Sequence, residues 1–277
     1  MSGVAGGDRI LKADAWNVIR AYIEILKGFA FFKDYRISGS YHSKEDFGDI
    51  DLIINISNRF SETKPIIKKR LIDFLCNLSE DTILPFRSYK YDQKRFYNSG
   101  EIVTILFTQG NGKTIQIDNI ISLSDEETEF KKRFLDMPAE IQGLCLGIIK
   151  TIYVESPVSY SNYRKYCLTD NQELEWNLSS SKLELRKVTL TDKFKELDRE
   201  VMYTTTNWQD VNSLLRGYIS LSFEEILEKL DKTLKNPRSR NRIKGLFNSM
   251  VSVKSGEVGT PKGNHKTECI KKVNEFL

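Results

Sequence analysis

The chain reads as α+β, with a mixed sheet flanked by helices and then a helical C-terminal region. Three observations lead there. Apolar residues recur at helical spacing over 9–33 and again over 62–78. Between Thr82 and Ser122 the pattern changes to strand-like runs, and beyond Ser124 helical spacing returns. With 277 residues, 40% hydrophobic and 29% charged, the composition suits a soluble chain able to bury a core.

Taken in order, Leu11, Ala15, Val18, Tyr22 and Ile25 line one face of the first helix, widened by Ile19 and Leu26. A short strand at 35–38 runs into Gly39-Ser40. After a polar loop, Gly48 opens a second strand over 49–56. Pro65 sits near the start of the 62–78 helix, where proline is tolerated, ahead of Ile66, Ile67, Leu71, Phe74, Leu75 and Leu78. Glu101–Gln109 and Thr114–Ile121 flank Gly110-Asn111-Gly112-Lys113, which predicts a hairpin. Gly112-Lys113-Thr114 ends like a P-loop, but Phe107 stands where that motif requires glycine, and β-type alternation follows instead of a helix.

Further helices are predicted over 126–136, from Pro138 to about Val154, and over 191–203, 208–220 and 222–235. Ser222 is the N-cap of the 222–235 helix, with Glu225 three residues on. Asn236-Pro237 ends that helix, and a last one spans about 238–250. The stretch 155–190 shows little periodicity. The expected divisions are 1–130, a helical part over 131–250, and a basic, glycine-containing tail over 251–277.

No run of eighteen apolar residues exists, so no membrane span is expected. The N-terminus lacks the charged and apolar regions of a secretory signal. Cys76, Cys145, Cys167 and Cys269 are scattered, which argues against a disulfide framework or a zinc site and fits a cytoplasmic setting. The net charge of +4 is uneven: from Asp231 onward there are eleven Lys or Arg against four Asp or Glu. That asymmetry predicts contact with phosphates or nucleic acid.

The most informative stretch is 35–54. On a strand, Asp49 and Asp51 share a face and Ile50 and Leu52 share the other. Neighbouring carboxylates repel each other unless a cation sits between them, and a hard divalent ion such as Mg²⁺ suits oxygen ligands. The plain alternative is two acids facing solvent from an edge strand. Gly39-Ser40 argues against it, because a tight glycine turn with exposed N–H groups and a hydroxyl can hold phosphate oxygens.

Gly39-Ser40, eight intervening residues and then Asp49-Ile50-Asp51 leading an apolar strand resemble the signature of the DNA polymerase beta superfamily of nucleotidyltransferases. The resemblance covers about residues 35–120. It implies a polymerase-beta-like catalytic core within 1–130 that binds a nucleoside triphosphate, with ATP the expected donor. Two Mg²⁺ ions are implied, with Mn²⁺ as the alternative, bridged by Asp49 and Asp51. It also implies a third carboxylate on a later strand, and Asp118, between Ile117 and Ile120, is the acid that fits. Gly39 and Ser40 are the implied grip on the β- and γ-phosphates. His42 stands in a loop where some members, notably DNA polymerases, carry arginine, which departs from a polymerase-type triphosphate grip.

The basic C-terminal region bears on the acceptor. Arg238, Arg240, Arg242 and Lys244 precede an irregular, glycine-rich segment over 252–265, in which Lys254 and Lys262 could meet nucleotide phosphates. Tyr160, Tyr163, Tyr166 and Trp176 interleave with Arg164 and Lys165. Stacking on bases is one use for them, and core packing is the favoured one. The expected acceptor is RNA, at the 3′ end of a tRNA or another transcript. Alternatives are a protein or small-molecule hydroxyl, another nucleotide in the synthesis of a signalling oligonucleotide, or no acceptor at all in a module that only binds nucleotide.

Overall fold

Ile50, Leu52, Ile54 and Ile56 point to one side of their strand, and the first unit is built around that alternation. The computed structural model describes residues 7–42, 45–57, 61–79, 81–85, 95–108, 114–137, 142–143, 145–146, 149, 171–193 and 195–219. The chain divides into two units, Met1–Asp136 and Met137–Leu277.

The first unit opens with the short strand β1 (Ile10–Leu11) and helix α1 (Lys12–Leu26). Strand β2 (Phe32–Ser38) ends in a 3₁₀ turn over Gly39–His42, followed by β3 (Asp46–Phe47) and β4 (Asp49–Ile56). Next come α2 (Lys64–Cys76), β5 (Ile83–Leu84), β6 (Tyr97–Ser99), β7 (Ile102–Thr108), β8 (Thr114–Ser122) and α3 (Asp125–Asp136). The main sheet runs β2-β4-β8-β7-β5, with β6 also paired to β7. β4 and β8 are parallel, and their neighbours pair antiparallel, so the sheet is mixed.

Two layers cover it. Val18, Ile19, Tyr22 and Leu26 of α1, with Ile67, Leu71 and Leu75 of α2, pack on Ile50, Leu52, Ile54, Val103, Ile105, Ile115 and Ile117 in one continuous core. The Tyr22 hydroxyl donates to Asn119 Oδ1 at 2.9 Å inside that layer. On the opposite face lies α3: Asn55 donates to Asp125 at 2.6 Å, and Thr128 donates to Ser122 at 2.9 Å. Ser124 Oγ accepts the Glu127 N–H and the Glu127 carboxylate accepts the Leu123 N–H, a reciprocal cap that starts α3.

In the second unit, β9 (Gln172–Leu178), β10 (Leu183–Leu190) and β11 (Glu196–Thr205) form an antiparallel sheet ordered β11-β10-β9, followed by α4 (Trp208–Ile219). This corrects two expectations. Residues 191–203 were expected to be helical, but Glu196–Thr205 is an edge strand whose backbone pairs with β10. The region after residue 130 is accordingly not wholly helical. Leu197 and Val201, spaced as on a helix, are 70% and 50% exposed on that edge, so their spacing reflects no buried helical face. Trp176 is buried in β9, as core packing requires. The 208–220 helix is present as α4, with Trp208, Val211 and Leu215 buried. The helices expected at 222–235 and 238–250, the basic tail with Lys254 and Lys262, and Tyr160, Tyr163 and Tyr166 lie outside the described residues. No helix among the described residues is long and apolar enough to cross a membrane.

Candidate active site

Register decides which side chains meet at the N-terminal end of β4. Asp51 pairs with Ser38 of β2 on one side and with Asp118 of β8 on the other, while Asp118 pairs with Thr104 of β7. Register partners share a face, so Ser38, Asp51, Asp118 and Thr104 form one polar row across four strands. Asp49 and its partner Gln116 lie on the same face one step along the strands. Adjacent strands lie about 4.8 Å apart, and residues two apart on a strand are separated by about 6.8 Å. All three sequence-predicted carboxylates are therefore near neighbours on the α3 side of the sheet. The apolar residues between them feed the opposite core.

The Gly39 turn presses directly on this row. Gly39 has φ +72°, and a Cβ there would stand 2.2 Å from Asp51 Oδ2, so both the conformation and the close approach require glycine. The Gly39 N–H, expected to face a phosphate, donates to Asp136 Oδ1 at 3.1 Å. Asp136 is the last residue of α3 and is also paired with Lys132. Ser40 lies in the same 3₁₀ turn.

Burial and charge act together here. Burial first, then the charges of Asp118, Asp49 and Asp136, push the Asp51 carboxyl up to about 7. Burial also raises Asp118, with Asp49 adding to it, against hydrogen bonds from Thr104 and Gln116 that favour the ionised form. The Ser38 hydroxyl is 1% exposed and has no hydrogen-bond partner among the described residues.

Several of these residues carry no signal in the sequence alone. Asp136 becomes a neighbour of Asp51 only because α3 runs back along the sheet. Thr104 and Gln116 contact Asp118 only through β7–β8 register. The N-terminal strap carries none either. Asp8 exchanges backbone and side-chain bonds with Thr114 at 2.6 and 2.9 Å, Ile10 and Leu11 pair with Phe47 and Asp46, and Arg9 binds Asp46 at 2.6 Å. Together these contacts fix the segment that delivers Asp49.

Among the described residues, no three His, Cys, Asp or Glu side chains converge to the spacing of a formed metal cage. The fit to a divalent ion rests on donor chemistry instead. The row offers hard carboxylate oxygens, and one of them, Asp51, is pushed up to about 7 by burial first and then by its acidic neighbours, whose repulsion a cation would relieve. Asp49, Asp51 and Asp118 are the residues that would hold it. The chain matches no protein-family model and no curated protein.

Proposed function

We propose that this protein is a divalent-metal-dependent nucleotidyltransferase. The observation that carries the reading is the parallel register of Asp51 with Asp118, which joins the Asp49-Ile50-Asp51 strand to the acid expected to complete the set. The Gly39 turn lying against Asp51 supports it, because the glycine-serine and aspartate halves of the signature are in contact. RNA is the acceptor favoured by the basic C-terminal segment.

Mg²⁺, when bound, would supply Lewis-acid charge and lower the pKa of an attacking hydroxyl. Asp49 and Asp51 would hold the cations from one strand, and Asp118 would do so from its neighbour. The acceptor hydroxyl would give up its proton to water beside Asp118 and attack the α-phosphorus. The new P–O bond forms as the bond to the oxygen bridging the α- and β-phosphorus atoms breaks, and pyrophosphate leaves. Ser40 and the turn around it would meet the triphosphate tail once Asp136 yields the Gly39 N–H.

Incubation with each α-labelled nucleoside triphosphate and Mg²⁺, with and without total RNA, tests this. Label in RNA supports the full reading. Label in protein, in a small-molecule adduct or in an oligonucleotide keeps the reaction and changes the acceptor. No transferred label defeats the proposal.

A further inference from the structure

We propose that Thr104 and Gln116 are positioning residues that hold Asp118 with one carboxylate oxygen turned to the metal, an inference that rests on the nucleotidyltransferase reading above. Thr104 Oγ1 donates to Asp118 Oδ1 at 2.6 Å, and Gln116 Nε2 donates to the same oxygen at 3.0 Å. Oδ2 takes no hydrogen bond among the described residues. A carboxylate oxygen has two lone-pair sites, so Oδ1 is saturated and Oδ2 is left as the ligand atom.

The two donors are built in, not incidental. Thr104 and Gln116 are each 3% exposed, and burying a hydroxyl and an amide is costly unless they are bonded. On the same face of these two strands stand Ile102, Leu106 and Ile120, so apolar residues are accommodated beside them. Thr104 is the antiparallel register partner of Asp118, and its β-branch restricts χ1 and hence the direction of its hydroxyl. Gln116 reaches Asp118 from two residues earlier on the same strand face. Both donors thus start from paired backbone in the middle of the sheet, and Asp118 cannot rotate without breaking its bond from the buried Thr104 hydroxyl. Asp51 is restrained differently, by the Gly39 backbone packed against its Oδ2. The site sets its two facing carboxylates by separate means, a hydrogen-bonded cradle for one and a steric wall for the other.

Partners of this kind that orient a metal ligand are worth about 10–100-fold in metal affinity or activity. The test compares the full-length wild type with Thr104→Val, Thr104→Ser and Gln116→Met. Mn²⁺ binding is followed by electron paramagnetic resonance, and label transfer is titrated against Mg²⁺. Thr104→Val, close to isosteric, is expected to weaken Mn²⁺ binding about tenfold and to raise the Mg²⁺ needed for half-maximal transfer in parallel. Thr104→Ser restores the hydroxyl and returns both values towards wild type. Gln116→Met moves both in the same direction as Thr104→Val. If the wild type binds Mn²⁺ and transfers nucleotide while Thr104→Val matches it in both, this inference fails and the functional reading stands. If Thr104→Val does not fold, Gln116→Met decides, and unchanged Mn²⁺ affinity overturns the proposal. A wild type that neither binds Mn²⁺ nor transfers nucleotide overturns both.

Discussion

Asp51 and Asp118 are register partners on parallel strands, two acids from distant parts of the sequence set side by side on one partly buried face. Nothing in the packing of the sheet calls for that pair. Their mutual repulsion and their burial both oppose ionisation, and this gives the first prediction.

The Asp51 carboxyl, pushed up to about 7, binds its proton more tightly in the native protein than in the unfolded chain. Stability from this group therefore falls as pH rises from about 4 to about 7 and is level above that. Denaturant unfolding without metal at pH 5 and pH 8 should show wild type losing roughly 2–3 kcal/mol more than Asp51→Asn over that interval. Mg²⁺ should return stability to wild type more at pH 8 than at pH 5, and return little to Asp51→Asn.

Gly39→Ala should damage the site more than the fold. Its φ of +72° costs an ordinary residue roughly 1–2 kcal/mol, and the new methyl displaces Asp51. A thermal melt lowered by a few degrees, with label transfer down by at least about tenfold, is the expected pair of results.

Lys131 makes the opposite prediction. It is 0% exposed, paired with Glu101 and with Glu127 at 3.1 Å, and it donates to the Ile121 carbonyl. Lys64 meets the same two glutamates from α2, so the cluster ties α2, α3 and the start of β7 together. Lys131→Ala should destabilise the protein by about 3–5 kcal/mol in denaturant unfolding. Transfer per folded molecule should stay close to wild type.

Tyr22→Phe removes the donor to Asn119 Oδ1 within the core and should cost about 1–3 kcal/mol. Its tilted ring contact with Phe107, 5.3 Å between centroids, should survive, keeping the loss to the hydrogen bond.

Much of the first unit was legible because its elements carry their own periodicity. The α1 and α2 stripes and the β7–β8 hairpin read directly from apolar spacing. The Asp49–Asp51 strand was legible through alternation, since i and i+2 share a face whatever the partner strand. Thr104, Gln116 and Asp136 were not legible. Each matters only through a neighbour far away in sequence or through the path of a helix, and single-strand periodicity holds no register. The Glu196–Thr205 error has a related cause. Leu197 and Val201 fit a helical stripe, but backbone pairing with β10 decided the conformation and left both exposed. The β9–β10 hairpin did leave a local signal, Leu174, Trp176 and Leu178 alternating ahead of a serine-rich turn in which Ser179 Oγ accepts the Lys182 N–H.

Mg²⁺-dependent release of pyrophosphate from a nucleoside triphosphate, compared between wild type and Asp51→Asn, tests the proposed reaction most directly. Both proteins should give the same circular dichroism spectrum. Release by the wild type in the presence of acceptor is expected, with a loss of at least about a thousandfold in Asp51→Asn. Equal release by the two folded proteins would contradict it.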